Sequence, residues 1–133
     1  MSEIQTYKFY AGNRWHEPSS EKYFESEDPS IGKVWAKVPD CNEKDINLAV
    51  SSAKRAYYDG PYGKMHPAER GRTLTRIGDI IAKNAERIGQ IETKDNGKLP
   101  KNITPSLTSW QTESFYYYAG MCDKYEGLSL IHI

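Results

Sequence analysis

The chain has 133 residues, a formal net charge of zero and 27% charged residues, which is room for one domain or part of one. It has no basic excess to attract nucleic acid and no run of about 20 apolar residues to span a membrane. The opening MSEIQTYKFYAG lacks the apolar stretch of a secretory signal, and two distant cysteines, Cys41 and Cys122, make neither a disulfide scaffold nor a metal spacing, so a reducing, cytoplasmic compartment is expected.

Residues 7–38 read as short strands and turns. In YKFYAGNRW a strand reaches the turn pair Gly12-Asn13 and returns through Trp15, as in a hairpin. FESEDPSIGKVWAKV repeats the logic. Asp28-Pro29-Ser30 supplies a tight turn, after which Val34, Ala36 and Val38 alternate with Lys33, Trp35 and Lys37 to give one apolar face at period two. Then the period lengthens. Asn42 can cap a helix, with Asp45 as a weak capping box, and Ile46, Ala49, Val50, Ala53 and Tyr57 share a face that Gly60-Pro61 terminates. HPAER opens a second helix, because Pro67 suits the first turn and Glu69 the positive end of the dipole. Leu74, Ile77, Ile81, Ile88 and Ile91 continue it, with Asn84 capping a second segment after a bend. Asn96-Gly97 is a helix exit. Thr104-Pro105 opens a third helix, with Leu107, Trp110, Ser114, Tyr118 and Met121 on one face. The expected plan is two hairpins followed by three helices.

The apolar supply is thin. Leu, Ile, Val and Phe make up 23 of 133 residues, below the roughly 20% associated with disorder, yet the helical periodicity is clear. One slice of a larger protein would show this pattern.

No G-x-G-x-x-G, P-loop or H-E-x-x-H occurs. His16, His66 and His132 have no ligand spacing and read as surface or turn residues. Cys41 falls at a helix N-terminus, where the dipole lowers a thiol pKa. A reactive thiol is conceivable there, but no base is near it in sequence, and packing is the preferred reading. Cys122 reads as a small packing residue.

FYAGNRW, DPSIGKVWAKVPDCNEKDINLAVSSAKRAY, GPYGKMHPAERGRTLTRIGDIIAKNAERIGQIETKDNGK and FYYYAGMCDKYEG together resemble the N-terminal part of the NAD(P)-dependent aldehyde dehydrogenase superfamily. The resemblance runs from about Tyr7 to Gly127. It departs at Asp28, where Asn is commoner, and at Leu99-Pro100, which reverses the frequent Pro-Leu. It implies an α/β fold: β-hairpins plus three helices forming the entry to a Rossmann-like cofactor domain, in a longer enzyme with a catalytic domain and an oligomerising arm. The implied reaction oxidises a small-molecule aldehyde to an acid, or to a thioester in some branches, with NAD or NADP. A cysteine thiolate attacks the aldehyde to form a thiohemiacetal, and a glutamate activates water for deacylation. The residues for that chemistry and for gripping the dinucleotide fall outside this chain, so no catalytic or cofactor-binding residue is assigned here. The implied parent is a homodimer or homotetramer.

Two further roles come with the resemblance. Some members hold a monovalent cation on backbone carbonyls and the Asp of DNGK, and the matching positions are Ser26, Glu27 and Asp95. Independently, Asp95 sits in the last turn of a helix, where a carboxylate meets the negative dipole end at about 0.3–1 kcal/mol. A cation would offset that, and so would Lys94 or Lys98. Trp110 matches a position that lines the substrate tunnel in several relatives, although a Trp on an apolar helix face is also an ordinary core residue.

In that family YEG leads into the arm. Here residues 128–133, LSLIHI, also spell one reading frame of a common transposase-end sequencing adapter. Residues 1–127 are therefore expected to be native and 128–133 a non-native tail, a divergent arm strand being the alternative. The competing functional reading is a short, non-catalytic interaction module built on the same fold piece.

Overall fold

The computed structural model describes residues 4–125, so the suspected tail, His132 and Gly127 lie outside the described residues. The chain divides into two compact units: residues up to Lys64 with Gln90–Pro100, and Met65–Gly89 with the chain from Lys101 onward.

The first unit holds both expected hairpins. Strands β2 (Phe9–Ala11) and β3 (Arg14–His16) pair antiparallel around Gly12-Asn13. Both turn residues have positive φ, 56° and 65°, as the mirror-image turn that matches strand twist requires. Strands β4 (Tyr23–Asp28) and β5 (Lys33–Pro39) form the second hairpin. A short strand unseen in the sequence pattern, β1 (Gln5–Thr6), adds to it in parallel, giving the order β1-β5-β4. Ala36 is fully buried in β5, but Trp35 and Lys37 are half-buried like Val34 and Val38, so the expected one-sided alternation is not clean.

Helix α1 (Glu43–Tyr58) starts at a full capping box: the Asn42 side chain accepts from the N–H groups of Lys44 and Asp45, and the Asp45 carboxylate accepts from that of Asn42. The expected buried face of α1 does not materialise among the described residues. Ile46, Val50 and Tyr57 are 53%, 47% and 77% exposed. The helix instead meets β2 through small groups, with the Gly12 N–H donating to Ser52 Oγ at 3.2 Å. That close backbone approach leaves the larger side chains of α1 facing outward.

In the second unit, helices α2 (Pro67–Lys83) and α5 (Thr112–Met121) pack face to face. Gly71 and Gly78, two turns apart on one face, are both buried. A Cβ on Gly71 would fall 2.6 Å from the Ala119 carbonyl oxygen, and one on Gly78 would fall 2.8 Å from the Tyr116 ring. The Tyr116 hydroxyl donates to Asp79 at 2.7 Å. The α2 start has a cap that the sequence reading missed: His66 Nδ1 accepts from the Ala68 N–H, from a residue type outside the usual capping set. The expected break at Asn84 is present, α3 running over Ala85–Asn96. Asn84 works backward, however, its side-chain amide donating to the Ile80 carbonyl. Ala85, Ile103 and Leu107 form a small core with Ile81 and Ile88 against it.

The third expected helix begins earlier than Thr104-Pro105. Helix α4 (Pro100–Ser106) starts on Pro100 and carries Pro105 inside. A π-helical segment, Leu107–Gln111, follows before α5. Thr112 Oγ1 donates to the Leu107 carbonyl five residues back, at 2.6 Å. The wider turn shifts the register of everything downstream. Burial passes from Ile103 and Leu107 to Thr112, not to Trp110. The expected face of Leu107, Trp110, Ser114, Tyr118 and Met121 is therefore broken: Trp110 is 77% exposed and Tyr118 64%.

Candidate functional site

Two of the three proposed cation-site residues meet directly. Gly97 leaves α3 with φ +76°, and its α-carbon lies so close to Pro29 that a Cβ would stand 3.0 Å from the proline ring. This contact sets the end of α3 against the β4–β5 turn. There Ser26 Oγ donates to Asp95 Oδ1 at 2.9 Å. The β4–β5 ladder slips between Ser26 and Glu27: Ser26 faces Ala36, but Glu27 faces Val34. Trp35 is thus the extra residue of a bulge, a feature that commonly re-aims a side chain. Its indole N–H donates to Ser26 Oγ at 3.2 Å. A relay from Trp35 through Ser26 ends on the Asp95 carboxylate.

Neither lysine named beside Asp95 pairs with it. Lys98 pairs with Glu92, whose carboxyl this partner pulls below the usual range, against its burial and with help from Asn96. The Asp95 carboxylate is exposed and is anchored by a neutral hydroxyl. No cluster of three His, Cys, Asp or Glu that could hold a metal occurs among the described residues. The test is salt identity. Potassium should raise the melting temperature relative to choline, and Asp95→Ala should abolish that difference along with about 1 kcal/mol of stability from the lost Ser26 hydrogen bond. An equal loss in both salts would reduce Asp95 to an anchor for Ser26.

Trp110 lies on the rim of an open groove. Ser109, Trp110, Glu113, Ser114, Tyr117 and Tyr118 line it. The spacing from Trp110 to Glu113, Ser114 and Tyr117 is three, four and seven residues, one helix face. Tyr117 and Tyr118 meet edge to face, centroids 5.3 Å apart at 85°.

Cys41 is not an activated thiol. Burial pushes its pKa up, and Asp45 and Asp40 add to the rise, the opposite of the lowering expected at a helix N-terminus. His16 stacks on Phe9 and is hydrogen-bonded to the Ala11 carbonyl, a structural role. No helix among the described residues is long and apolar enough to cross a membrane.

The aldehyde dehydrogenase family model matches residues 15–132. The chain is 32% identical over 124 residues to the (Z)-2-((N-methylformamido)methylene)-5-hydroxybutyrolactone dehydrogenase of Acinetobacter baylyi, covering 93% of this chain and 25% of that protein. It is 39% identical over 113 residues to the mitochondrial aldehyde dehydrogenase family 2 member B4 of Arabidopsis thaliana, covering 84% of this chain and 21% of that one. The NAD+ complex of an aldehyde dehydrogenase from Bacillus cereus aligns with a TM-score of 0.87 at 29% identity, over 95% of this chain and 26% of that structure. The chain spans about a quarter of the length of these relatives.

Proposed function

The chain belongs to the aldehyde dehydrogenase family and has the fold of the N-terminal region of its members, and from that premise we propose that it is part of an enzyme oxidising an aldehyde to a carboxylic acid with NAD or NADP. The observation that carries this reading is the extent of the match, which takes in nearly the whole chain from residue 15. In this reading residues 1–127 build the entry to the cofactor domain. The parent works in the cytoplasm as a homodimer or homotetramer, by way of a cysteine thiohemiacetal.

The described residues supply scaffold and walls, not the chemical step. Cys41 has a raised thiol pKa, the wrong direction for a nucleophile that must be a thiolate. The sequence holds no glycine-rich phosphate loop, and no dinucleotide grip is assigned to these residues. What they contribute is the groove at Trp110, read here as one wall of the substrate tunnel, and the Ser26, Glu27 and Asp95 cluster, read as a cation site that stiffens the domain. The outward apolar face of α1, with Ile46 and Val50 about half exposed, fits a segment that packs on further protein.

The test begins at the gene. The source locus is sequenced across codon 127 from DNA amplified without the transposase-end adapter, and the full open frame is expressed. A frame that continues into a cysteine nucleophile, and a product that forms NADH or NADPH only when an aldehyde is added, is the expected result. A genuine stop codon after Ile133 would overturn the enzyme reading for this chain.

A further inference from the structure

A hollow in the first unit lies between the β2–β3 hairpin and the last turn of α1. Arg14, Arg55 and Asp59 line it, with Gly12, Ser52 and Gly60. Arg14 is the direct cross-strand partner of Ala11, so both side chains stand on one face of the ribbon, and Ala11 is buried. The Gly12 N–H bond to Ser52 Oγ fixes the hairpin turn against α1. Arg55 follows Ser52 at helical spacing and shares its face. Two guanidiniums from different elements therefore converge on one hollow. Among the described residues neither forms an ion pair, and neither does Asp59, the one carboxylate of the lining.

Half of this arrangement has an ordinary cause. Arg55 stands in the last turn of α1, where a cation offsets the negative end of the dipole. Arg14 has no such cause, and Asp59 does not pair with it. A carboxylate ligand would fill one guanidinium fork with its two oxygens and leave the other open. A tetrahedral oxyanion has oxygens for both forks. Asp59 then discriminates among such anions. A carboxylate only accepts, so it repels an anion without a proton and receives a hydrogen bond from an anion that keeps one. At pH 7 sulfate has no proton to give, and a phosphate monoester has mostly lost its last one, with a second pKa of about 6. Inorganic phosphate keeps at least one.

We propose that this hollow binds inorganic phosphate, with Arg14 and Arg55 donating to its oxygens and Asp59 accepting from its hydroxyl. The bound anion ties the β2–β3 hairpin to the end of α1. Both arginines are exposed, and solvent and salt weaken each contact, which sets the Kd on the order of 1 mM. No bond in the phosphate is made or broken.

The test is thermal melting of the purified protein at pH 7 in phosphate, sulfate, glycerol phosphate or chloride at one ionic strength. Phosphate at about ten times that Kd should raise the melting temperature by about 5 °C over chloride, and the rise should saturate. Sulfate and glycerol phosphate should give less than about half of it. Arg14→Gln and Arg55→Gln should each weaken phosphate binding about tenfold, and Arg14→Lys, which keeps the charge without the fork, should keep part of the affinity. Asp59→Asn can donate as well as accept, so it should bring sulfate level with phosphate. Should a variant fail to fold, the comparison of anions on the wild type still decides. An equal rise in sulfate and phosphate there is the general effect of strongly hydrated anions and overturns the proposal. So does a phosphate response in Arg14→Gln that matches the wild type.

Discussion

Gly71→Ala should separate two helices and cost the protein about 1–3 kcal/mol. The added methyl would sit 2.6 Å from the carbonyl oxygen of Ala119, with the carbonyl carbon at 3.5 Å and the Cys122 side chain at 3.7 Å. The first obstacle is backbone in α5, so no rotamer change relieves it. Either α2 and α5 move apart, opening contacts along the whole seam, or the last turns of α5 bend. Alanine also brings about 1 kcal/mol of helix propensity, which works against the loss and is already allowed for in the lower end of that range. Urea unfolding of the purified protein should show a midpoint lowered by about 1 M at an ordinary slope. Gly120→Ala is the internal control. It lies in the partner helix α5 with nothing within 4 Å of its would-be Cβ, so the propensity term acts alone and the midpoint should not fall. A Gly71→Ala midpoint equal to that of Gly120→Ala would mean that the seam is not closed as described.

Gly78 explains why the seam matters for the groove. A Cβ there would strike the edge of the Tyr116 ring at 2.8 Å and approach Phe115 at 3.4 Å. The ring could swing aside, but its hydroxyl is held by Asp79, two elements of one restraint. The opposite side of α5 from this seam carries Tyr117 and Tyr118. Packing at the two glycines therefore sets the angle at which the aromatic side of α5 is presented.

Local chemistry was readable from the sequence wherever the signal and its partner lie within a few residues. Asn42 and Asp45 wrote the start of α1, Gly12-Asn13 the first turn, Asn96-Gly97 the exit of α3. Each is a backbone demand met by a side chain or a missing one nearby. What was not readable depended on distant partners or on a change of helical pitch. The parallel pairing of β1 needs β5, far along the chain, and its two residues carry no pattern of their own. The bulge at Trp35 looks like plain alternation until the facing strand is known. Trp110 is the instructive case. At 3.6 residues per turn it shares a face with Leu107 and Ser114, and the core reading follows. The π turn beginning at Leu107 inserts an extra residue, Thr112 takes the buried place, and Trp110 is turned out beside Glu113. The same register shift that defeated the pattern created the groove.

Asp45 should make the first unit acid-sensitive. Asp45 is 4% exposed, and burial by itself would push its pKa up. Hydrogen bonds from Asn42 and Ser19, with Lys44 nearby, outweigh that and hold it below the usual carboxylate range. The Ser19 N–H reaches both carboxylate oxygens at 3.1 Å and the Asn42 N–H reaches one at 3.2 Å, so one side chain closes the capping box and ties the loop at Ser19 to the start of α1. A folded pKa below the unfolded value of about 3.9 means that the unfolded chain binds the proton more readily. The stabilisation is then complete above about pH 5 and is lost as pH falls through the folded pKa. Asp28, also held low by the Ser30 hydroxyl and N–H, adds a slope of the same sign. In Asp45→Ala the Ser19 and Asn42 N–H groups lose their acceptor while staying near the start of α1. The melting temperature at neutral pH should drop on the order of 5 °C, more than in Asn42→Ala, and the curve of melting temperature against pH should be flatter than the wild type between about pH 5 and pH 2. Parallel curves for Asp45→Ala and wild type across that window would show that the carboxylate carries no charge-dependent share of the stability, and the capping box would then be a neutral contact.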